Sequence, residues 1–600
     1  MFQLFTETAS PTHGLARVTA LKAELAAHDL DGFLIPRADA HQGEYVAEKD
    51  ERLAWLTGFT GSAGQAIVTR EQAVIFVDGR YTLQVRTQTD GAVFTYKNIP
   101  ADQPSDWLAE HLPSDATLGF DPWLHTHKEI EGLEKALAKN GVTLASSVNL
   151  VDAIWEDQPL PPKGKIFVQP LDLAGKPHAE KLAELAAELV QTGVKAAILT
   201  LPDSIAWLLN IRGADVPKAP LPLCFAILHS DATLDLFVDP DKVDADVANH
   251  LGPDVRRAPP EAFVAAIEGL VGAVGVDAAS APYRVFELLD SKNIEIKWMR
   301  DPCRLPKACK NPAELSGTRA AHLRDAAAMA EFLCWLDDEA PSGALTEIAV
   351  ARQLEAFRQK SNSLRDISFD TISGAGPNGA IVHYRVTEAT DRAVSTGELL
   401  LVDSGGQYQD GTTDITRTIA VGTPPEGAAR AFTLVLKGMI GISMAKFPEG
   451  LAGRDIDALA RIALWQAGLD YDHGTGHGVG AYLSVHEGPQ NLSRRGVEPL
   501  RPGMIISNEP GYYREGAFGI RIENLVVVNP PAIPEGGERP MLSFETLTLA
   551  PIDQNLIDRS LLTEAETAWI NSYHSRVAKE VMPHVSTRTA DWLKAATKPL

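Results

Sequence analysis

Residues 397–422 read GELLLVDSGGQYQDGTTDITRTIAVG. Two apolar runs of strand character flank a centre rich in Gly, Gln, Asp and Thr, so the stretch reads as a hairpin with SGGQYQDGTT as its turn. Each run carries an aspartate: Asp403 ends the first and Asp414 opens the second. If the strands pair, both carboxylates project into one place. A carboxylate in an apolar strand costs free energy unless it is paired, hydrogen-bonded or metal-bound. The hairpin therefore predicts both a sheet and a site. Downstream, HGTGHGVG (473–480) sets His473 and His477 four residues apart among glycines that let backbones approach closely. Glu509 falls directly before a proline in ISNEPGYY (506–513), and Glu523 sits inside the apolar pattern GIRIENLVVV (519–528).

Around these motifs, from 366 to 550, short β-rich runs alternate with Gly-containing turns, interrupted by a helical run at 426–467. This is an α+β pattern with a substantial antiparallel sheet. A long helix pattern precedes it at 313–338, with Asn311-Pro312 as its start signal. The tail from about 556 reads as helices.

The first half has another texture and repeats itself. KAELAAHDLDGFLI (22–35) and KLAELAAELVQTGVKAAIL (181–199) are each a helix pattern running into an apolar strand. Ala54-Trp55-Leu56 answers Ala206-Trp207-Leu208, and Phe-Val-Asp recurs at 76–78 and 237–239. The spacing is longer than any solenoid repeat, which predicts two related α/β domains. The Pro- and Gly-rich stretch 156–180 reads as a linker with one short strand. The predicted organisation is an α/β domain at 1–155, a second at 156–310, an α+β domain at 311–540 and an extension at 541–600.

Composition narrows the function. The 600 residues are 45% apolar and 22% charged, with net charge −24. That balance argues for a soluble globular protein and against nucleic acid as a partner. No stretch approaches the ~20 apolar residues of a membrane span. The N-terminus lacks the basic lead-in of a secretory signal. The four cysteines, Cys224, Cys303, Cys309 and Cys334, form no CxxC pair, consistent with reduced thiols in the cytoplasm.

Two Asp, two Glu and a His form a hard, oxygen-rich donor set. It suits manganese, zinc or cobalt in a two-metal site better than a thiolate zinc site. Five side chains are too many for one catalytic zinc. Taken singly, each has a bland reading: a turn cap, a core histidine. Other motifs fail. His486-Glu487 lacks the second histidine of HExxH, and GSAG at 61–64 lacks the frame of a nucleophile elbow.

The set LLVDSGGQY, DGTTDITRT, HGTGHGVG, SNEPGYY and GIRIENLVVV resembles the pita-bread metallopeptidases, the family of methionine aminopeptidase, prolidase and aminopeptidase P. ERLAWLTGFTGSAGQAIV (51–68), VDGRY (77–81), ISFDTISGAGPNGAIVHY (367–384), FETLTLAPID (544–553) and WINSYH (569–574) extend the resemblance over nearly the whole chain, best to the long, three-domain aminopeptidase P form. It implies two creatinase-like α/β domains, then a pita-bread domain with a curved, largely antiparallel sheet. It implies Asp403 on one metal, His477 and Glu509 on the other, and Asp414 and Glu523 bridging. A hydroxide between two divalent metals, manganese first among them, would attack the carbonyl before a penultimate proline. Glu509 would shuttle the proton, and His383 and His486 would hold the peptide and stabilise the oxyanion. Arg80 would bind substrate, and His473 and Arg521 would orient ligands. Tyrosines and small residues around 509–518 are candidates for an apolar slot around the proline ring. The implied partners are peptides with proline in second position and a second copy of the chain. Alternative readings are a prolidase, which normally has one N-terminal domain, and a metal-free binding or scaffold protein on the same fold.

Overall fold

The computed structural model describes residues 1–600. The chain divides into two units: Thr8–Arg304, and Leu305–Leu600 together with Met1–Glu7.

The N-terminal unit holds two six-stranded sheets. The first contains β1 (Gly32–Pro36), β2 (Gln65–Thr69), β3 (Ala73–Asp78), β4 (Thr95–Ile99), β5 (Thr117–Phe120) and β6 (Thr143–Ser146), in the order β4-β3-β2-β1-β5-β6. The second contains β7 (Ala196–Leu199), β8 (Phe225–His229), β9 (Leu234–Phe237), β10 (Val255–Ala258), β11 (Val274–Val276) and β12 (Ile296–Trp298), in the order β10-β9-β8-β7-β11-β12. Strand order and direction repeat: a central antiparallel meander with parallel strands added at both sides. The repeated words mark equivalent places. Ala-Trp-Leu lies in helix Arg52–Thr57, closed by left-handed Gly58, and in Pro202–Leu209, closed by left-handed Asn210. Phe76-Val77-Asp78 ends β3, and Phe237 ends β9. The chain is thus built on two related α/β domains. The linker's short strand is Phe167–Val168.

The C-terminal unit has β13 (Leu364–Ile367), β14 (Ile372–Ala375), β15 (Leu399–Ser404), β16 (Gly406–Tyr408), β17 (Gly411–Thr412), β18 (Ile415–Ala420), β19 (Gly476–Gly478), β20 (Glu487–Leu492), β21 (Ile505–Asn508), β22 (Gly511–Arg514), β23 (Phe518–Arg521), β24 (Asn524–Val528) and β25 (Phe544–Thr546). Their pairings are antiparallel throughout. The long helix runs Pro312–Glu339. The Asn311 side chain accepts from the N–H groups of Ala313 and Glu314, while Glu314 accepts from the Asn311 N–H. The run 426–467 differs from its reading as one helical stretch. It is two helices, Ala428–Ser443 and Gly453–Trp465, broken where Pro448 has no N–H to give and Gly450 takes φ 92°. In the tail, helices Glu564–Val581 and Thr587–Ala596 follow 3₁₀ turns at 554–561.

The core of this unit lies behind the sheets. Phe432, Val435 and Met439 from the first of the paired helices pack with Ile520 and Ile522 and with Tyr573 and Val577 of the tail. The tail therefore belongs to the body that carries the carboxylates. No helix is long and apolar enough to cross a membrane.

Candidate metal centre

β15 and β18 pair from Leu399↔Ala420 to Ser404↔Ile415, and the same register continues through β16 and β17 to Tyr408↔Gly411. The turn proper is only Gln409-Asp410; most of SGGQYQDGTT is strand. The hairpin also joins two sheets, because β15 pairs with β14 while β16 pairs with β13. It changes sheet at Gly405. A Cβ there would lie 2.0 Å from the Thr413 carbonyl oxygen and 2.1 Å from Ser368 Oγ, so only glycine fits. Asp414 sits in this break, between β17 and β18. Asp403 pairs with Thr416, and alternation puts Asp414 on the face of Thr416. The two aspartates share a face for that reason.

β19 brings His477 beside them. A Cβ on Gly476 would fall 1.8 Å from the Ser507 carbonyl oxygen, so the glycine is what lets β19 and β21 approach. His477 Nε2 lies 3.5 Å from Asp414 Oδ2 and 3.4 Å from Glu509 Oε1. Asp414, His477 and Glu523 offer ligand atoms within 4.8 Å of one another. The His486 ring stands edge-on to His477, centroids 4.2 Å apart. Glu509 is placed by its N–H to the Thr475 carbonyl, 2.8 Å. Ser507 Oγ accepts from the His477 N–H and donates to Glu509 Oε1, both at 2.9 Å.

A second layer orients these groups. Arg521 donates Nη2 to Asp403 Oδ2 at 2.6 Å, Nε to Thr416 Oγ1 at 3.2 Å and Nη1 to the Tyr513 hydroxyl at 2.6 Å. Thr416 Oγ1 donates to Glu523 Oε2 at 2.8 Å. His473 Nε2 meets the same Tyr513 hydroxyl at 2.9 Å. Arg417 clamps the backbone: it donates to the carbonyls of Glu523, Ala550 and Pro551 and to the Tyr573 hydroxyl. That contact ties FETLTLAP and the tail helix to the site.

The electrostatics are those of a cation site. Burial pushes the Asp403 carboxyl up to about 6, against the pull of Arg521 and with the help of Asp414. Burial and the charges of Asp414 and Glu509 hold Glu523 well above the usual carboxylate range. Glu509 is raised, first by burial. For His477 burial works downward, but Asp414 and Glu509 outweigh it and raise the imidazole to about 9. Asp403 Oδ1 and Glu523 Oε1 are buried with no hydrogen-bond partner. An unpartnered buried oxygen on a carboxylate is costly. His477 Nδ1 lies 2.9 Å from the Gly478 carbonyl. Donation there turns Nε2 toward the carboxylates, where a cation would take the place of its proton. The donor set fits divalent cations.

Of the residues singled out in the sequence, the structure brings together Asp403, Asp414, His477, Glu509, Glu523 and His486, with Arg521 and His473 bonded around them. His383 is half-buried on the segment after the turn Gly376–Ala380. That turn packs on β23: a Cβ at Gly519 would meet the Gly379 carbonyl oxygen at 1.7 Å. Arg80 belongs to the N-terminal unit, where its guanidinium binds Asp78 at 2.7 Å. Tyr513, a candidate for lining a proline slot, turns its hydroxyl to Arg521 and His473 instead. Sequence reasoning missed Thr416, Ser507 and Arg417. Thr416 and Ser507 each lie two residues from a proposed ligand on the same strand path, a spacing that could have flagged them.

Residues 316–530 match the model of metallopeptidase family M24. Residues 17–154 and 157–314 each match a Creatinase/Prolidase N-terminal domain, and 540–600 the C-terminal region of peptidase M24. The chain is 40% identical to a probable Xaa-Pro aminopeptidase P of Neosartorya fischeri, over 99% of this chain and 93% of the relative. It is 41% identical to aminopeptidase P2 of Arabidopsis thaliana, over 95% and 86%. It is similar to the solved X-prolyl aminopeptidase of Caenorhabditis elegans, described as a cytosolic enzyme with a dinuclear active site. That match has 35% identity and TM-score 0.94, over 98% of this chain and 100% of that one.

Proposed function

The chain belongs to metallopeptidase family M24, and from that premise we propose that it is an aminopeptidase that releases the N-terminal residue from peptides with proline in second position. The observation that carries the chemistry is the convergence of three buried carboxylates, the half-buried Glu509 and one imidazole, with two carboxylate oxygens left unpartnered. Asp403, Asp414, His477, Glu509 and Glu523 would hold a pair of divalent cations. When bound, these supply an activated water and polarise the scissile carbonyl. Hard oxygen donors dominate the set, which favours manganese over softer-preferring metals.

The protein's own groups do the rest. The Xaa-Pro bond is a tertiary amide whose nitrogen leaves as an amine only after gaining a proton. Glu509, steadied by Ser507, takes the proton that the attacking water loses, at its other carboxylate oxygen, and delivers it to that nitrogen. His486, braced against His477, and His383 hold the peptide carbonyl and stabilise the charge that develops on it. Arg521 and Thr416 keep Asp403 and Glu523 in place as the cations enter, and His473 supports Arg521 through Tyr513. Arg80 is a substrate-binding residue on the strength of its VDGRY motif. The enzyme works in the cytosol, as its nematode relative is described, and as a homodimer. Met444, Leu459, Ile462 and Trp465 offer an exposed apolar stripe for self-association.

A product assay tests the reading. Protein loaded with manganese is offered Arg-Pro-Pro, the dipeptide Gly-Pro and Met-Ala-Ser. Arginine is released from Arg-Pro-Pro with little action on Gly-Pro or Met-Ala-Ser, and chelation stops it. Preference for Gly-Pro would make the protein a prolidase. Silence on all three with metal confirmed in the protein would end the enzyme reading.

A further inference from the structure

The first seven residues belong to the C-terminal unit, although the chain then leaves it for nearly 300 residues. Their contacts converge on one place. Phe5 is buried in a cluster with Ile348, Ile372, Leu401, Tyr384 and Val386. The Phe5 carbonyl accepts from the Glu388 N–H at 2.8 Å. The Leu4 carbonyl accepts from Arg385 Nη2 at 3.3 Å, and Glu7 accepts from Thr387 Oγ1 at 3.1 Å. Of the five residues that follow His383, Arg385, Thr387 and Glu388 bond to this segment and Tyr384 and Val386 share its apolar cluster.

The segment is itself anchored on rigid elements. The N–H groups of Phe2 and Gln3 donate to the Glu355 carboxylate at 2.7 and 3.2 Å, and Glu355 lies on helix Glu347–Gln359. Gln3 and Thr371 exchange two hydrogen bonds, 2.9 and 3.2 Å, at the entry to β14. Residues 381–390, in contrast, lie in no helix or strand. Backbone without a ladder takes its order from outside partners, and here Glu347 and Asn378 on the Tyr384 hydroxyl (2.8 and 2.9 Å), Asp370 on Arg385 (3.3 Å) and the N-terminal segment provide them.

We propose that residues 2–7 are a positioning segment: they fix the conformation of residues 383–388 and thereby aim His383 at the peptide. The second clause rests on the substrate-holding role given to His383 above; the first does not. The segment touches no reacting atom and acts only through the loop it binds.

The test separates the two clauses. In manganese-loaded full-length protein, Phe5→Ala is compared with the parent by hydrogen exchange and by kinetics on Arg-Pro-Pro. The expected result is at least about tenfold faster exchange at the amides of 383–388, with protection elsewhere in the unit and metal content retained. The kcat falls about tenfold or more while KM moves less than about threefold, the signature of a group that acts in the transition state. Phe5→Leu restores most of both. Gln3→Ala, which removes the two bonds to Thr371 and keeps the Phe5 ring, shows the same pattern more weakly and serves if Phe5→Ala does not fold. Unchanged exchange at 383–388 in a folded variant overturns the proposal. Faster exchange with unchanged kcat upholds the positioning of the loop and overturns the aiming of His383, and with it that residue's place in the proposed reaction.

Discussion

Paired clusters in the N-terminal unit and the carboxylate pocket of the C-terminal unit treat buried charge in opposite ways. In the N-terminal unit two clusters of buried charge are matched within themselves. Lys242 Nζ lies 2.7 Å from Asp215, and both Asp215 oxygens also accept backbone N–H groups, from Gly164 and Leu223. Arg52 is bidentate to Asp152 and binds Asp50 as well. The C-terminal unit has such a cluster away from its pocket: Glu487 is held by Lys307 and Lys310. Inside the pocket the matching lapses. Asp403, Asp414, Glu509 and Glu523 face each other with Arg521 and His477 as the basic groups beside them. Paired burial is a structural solution whose removal exposes an orphan charge. An excess of buried carboxylate is a binding site that the fold alone does not balance.

The comparison breaks or sharpens on three measurements. The largest effect is expected in the pocket. Glu523→Gln lowers kcat/KM on Arg-Pro-Pro by about 10⁴-fold, near 5.5 kcal/mol of transition-state stabilisation. The same change leaves the demetallated protein as stable as the parent or more so, because it removes a buried carboxyl crowded by Asp414, Glu509 and Asp403. Metal content, activity and the denaturation midpoint of demetallated samples check both halves. A large stability loss in the demetallated variant would place Glu523 with the structural pairs.

The opposite sign is expected for Asp215→Ala. It strands a buried lysine and destabilises the N-terminal unit by about 3–5 kcal/mol, read as a lower denaturant midpoint. Manganese binding to the C-terminal unit is unaffected. A neutral result would mean that paired burial in this unit carries little weight.

A smaller effect comes from His574 in the tail helix, where Nε2 accepts the Ile552 N–H at 3.1 Å and the imidazole stays neutral. Burial and then Arg417 depress it to about 4, below the ordinary 6.5. Between those values the unfolded chain binds the extra proton, so stability rises with pH. The contribution is fully present above pH 6.5 and is lost as pH falls through 4, about 3 kcal/mol at ~1.4 per pH unit. The stability difference between the parent and His574→Gln should vary with pH across that window. Parallel pH profiles would show that the tail docks without regard to this proton.

Much of the fold was legible because apolar periodicity and punctuation are local. The capped start of helix Pro312–Glu339 and the repeated Ala-Trp-Leu and Phe-Val-Asp words are set by neighbours in the chain. The single helical run at 426–467 misled because Leu- and Ala-rich faces continue on both sides of a break that Pro448 and Gly450 announce. The turn reads too wide because Gly, Gln and Thr in SGGQYQDGTT look like loop. In fact β16 is stitched to β13, some forty residues upstream, by pairings no local rule reports.

The candidate site divides the same way. Asp403, Asp414, His477, Glu509 and Glu523 stand out in the sequence because charge inside an apolar strand needs a reason, and that reason is chemical and local. Their surroundings depend on distant partners: Thr416 on Glu523, Ser507 on His477 and Glu509, Tyr513 between Arg521 and His473, and the N-terminal segment on the loop behind His383. Residue type alone marks none of Thr416, Ser507 and Phe5; for the first two only the two-residue spacing from a ligand does. The chain's chemistry was therefore written in residue type and strand period, whereas its orientation was decided by tertiary structure. Hydrogen bonds that aim a carboxylate run between strands whose separation in sequence exceeds a hundred residues.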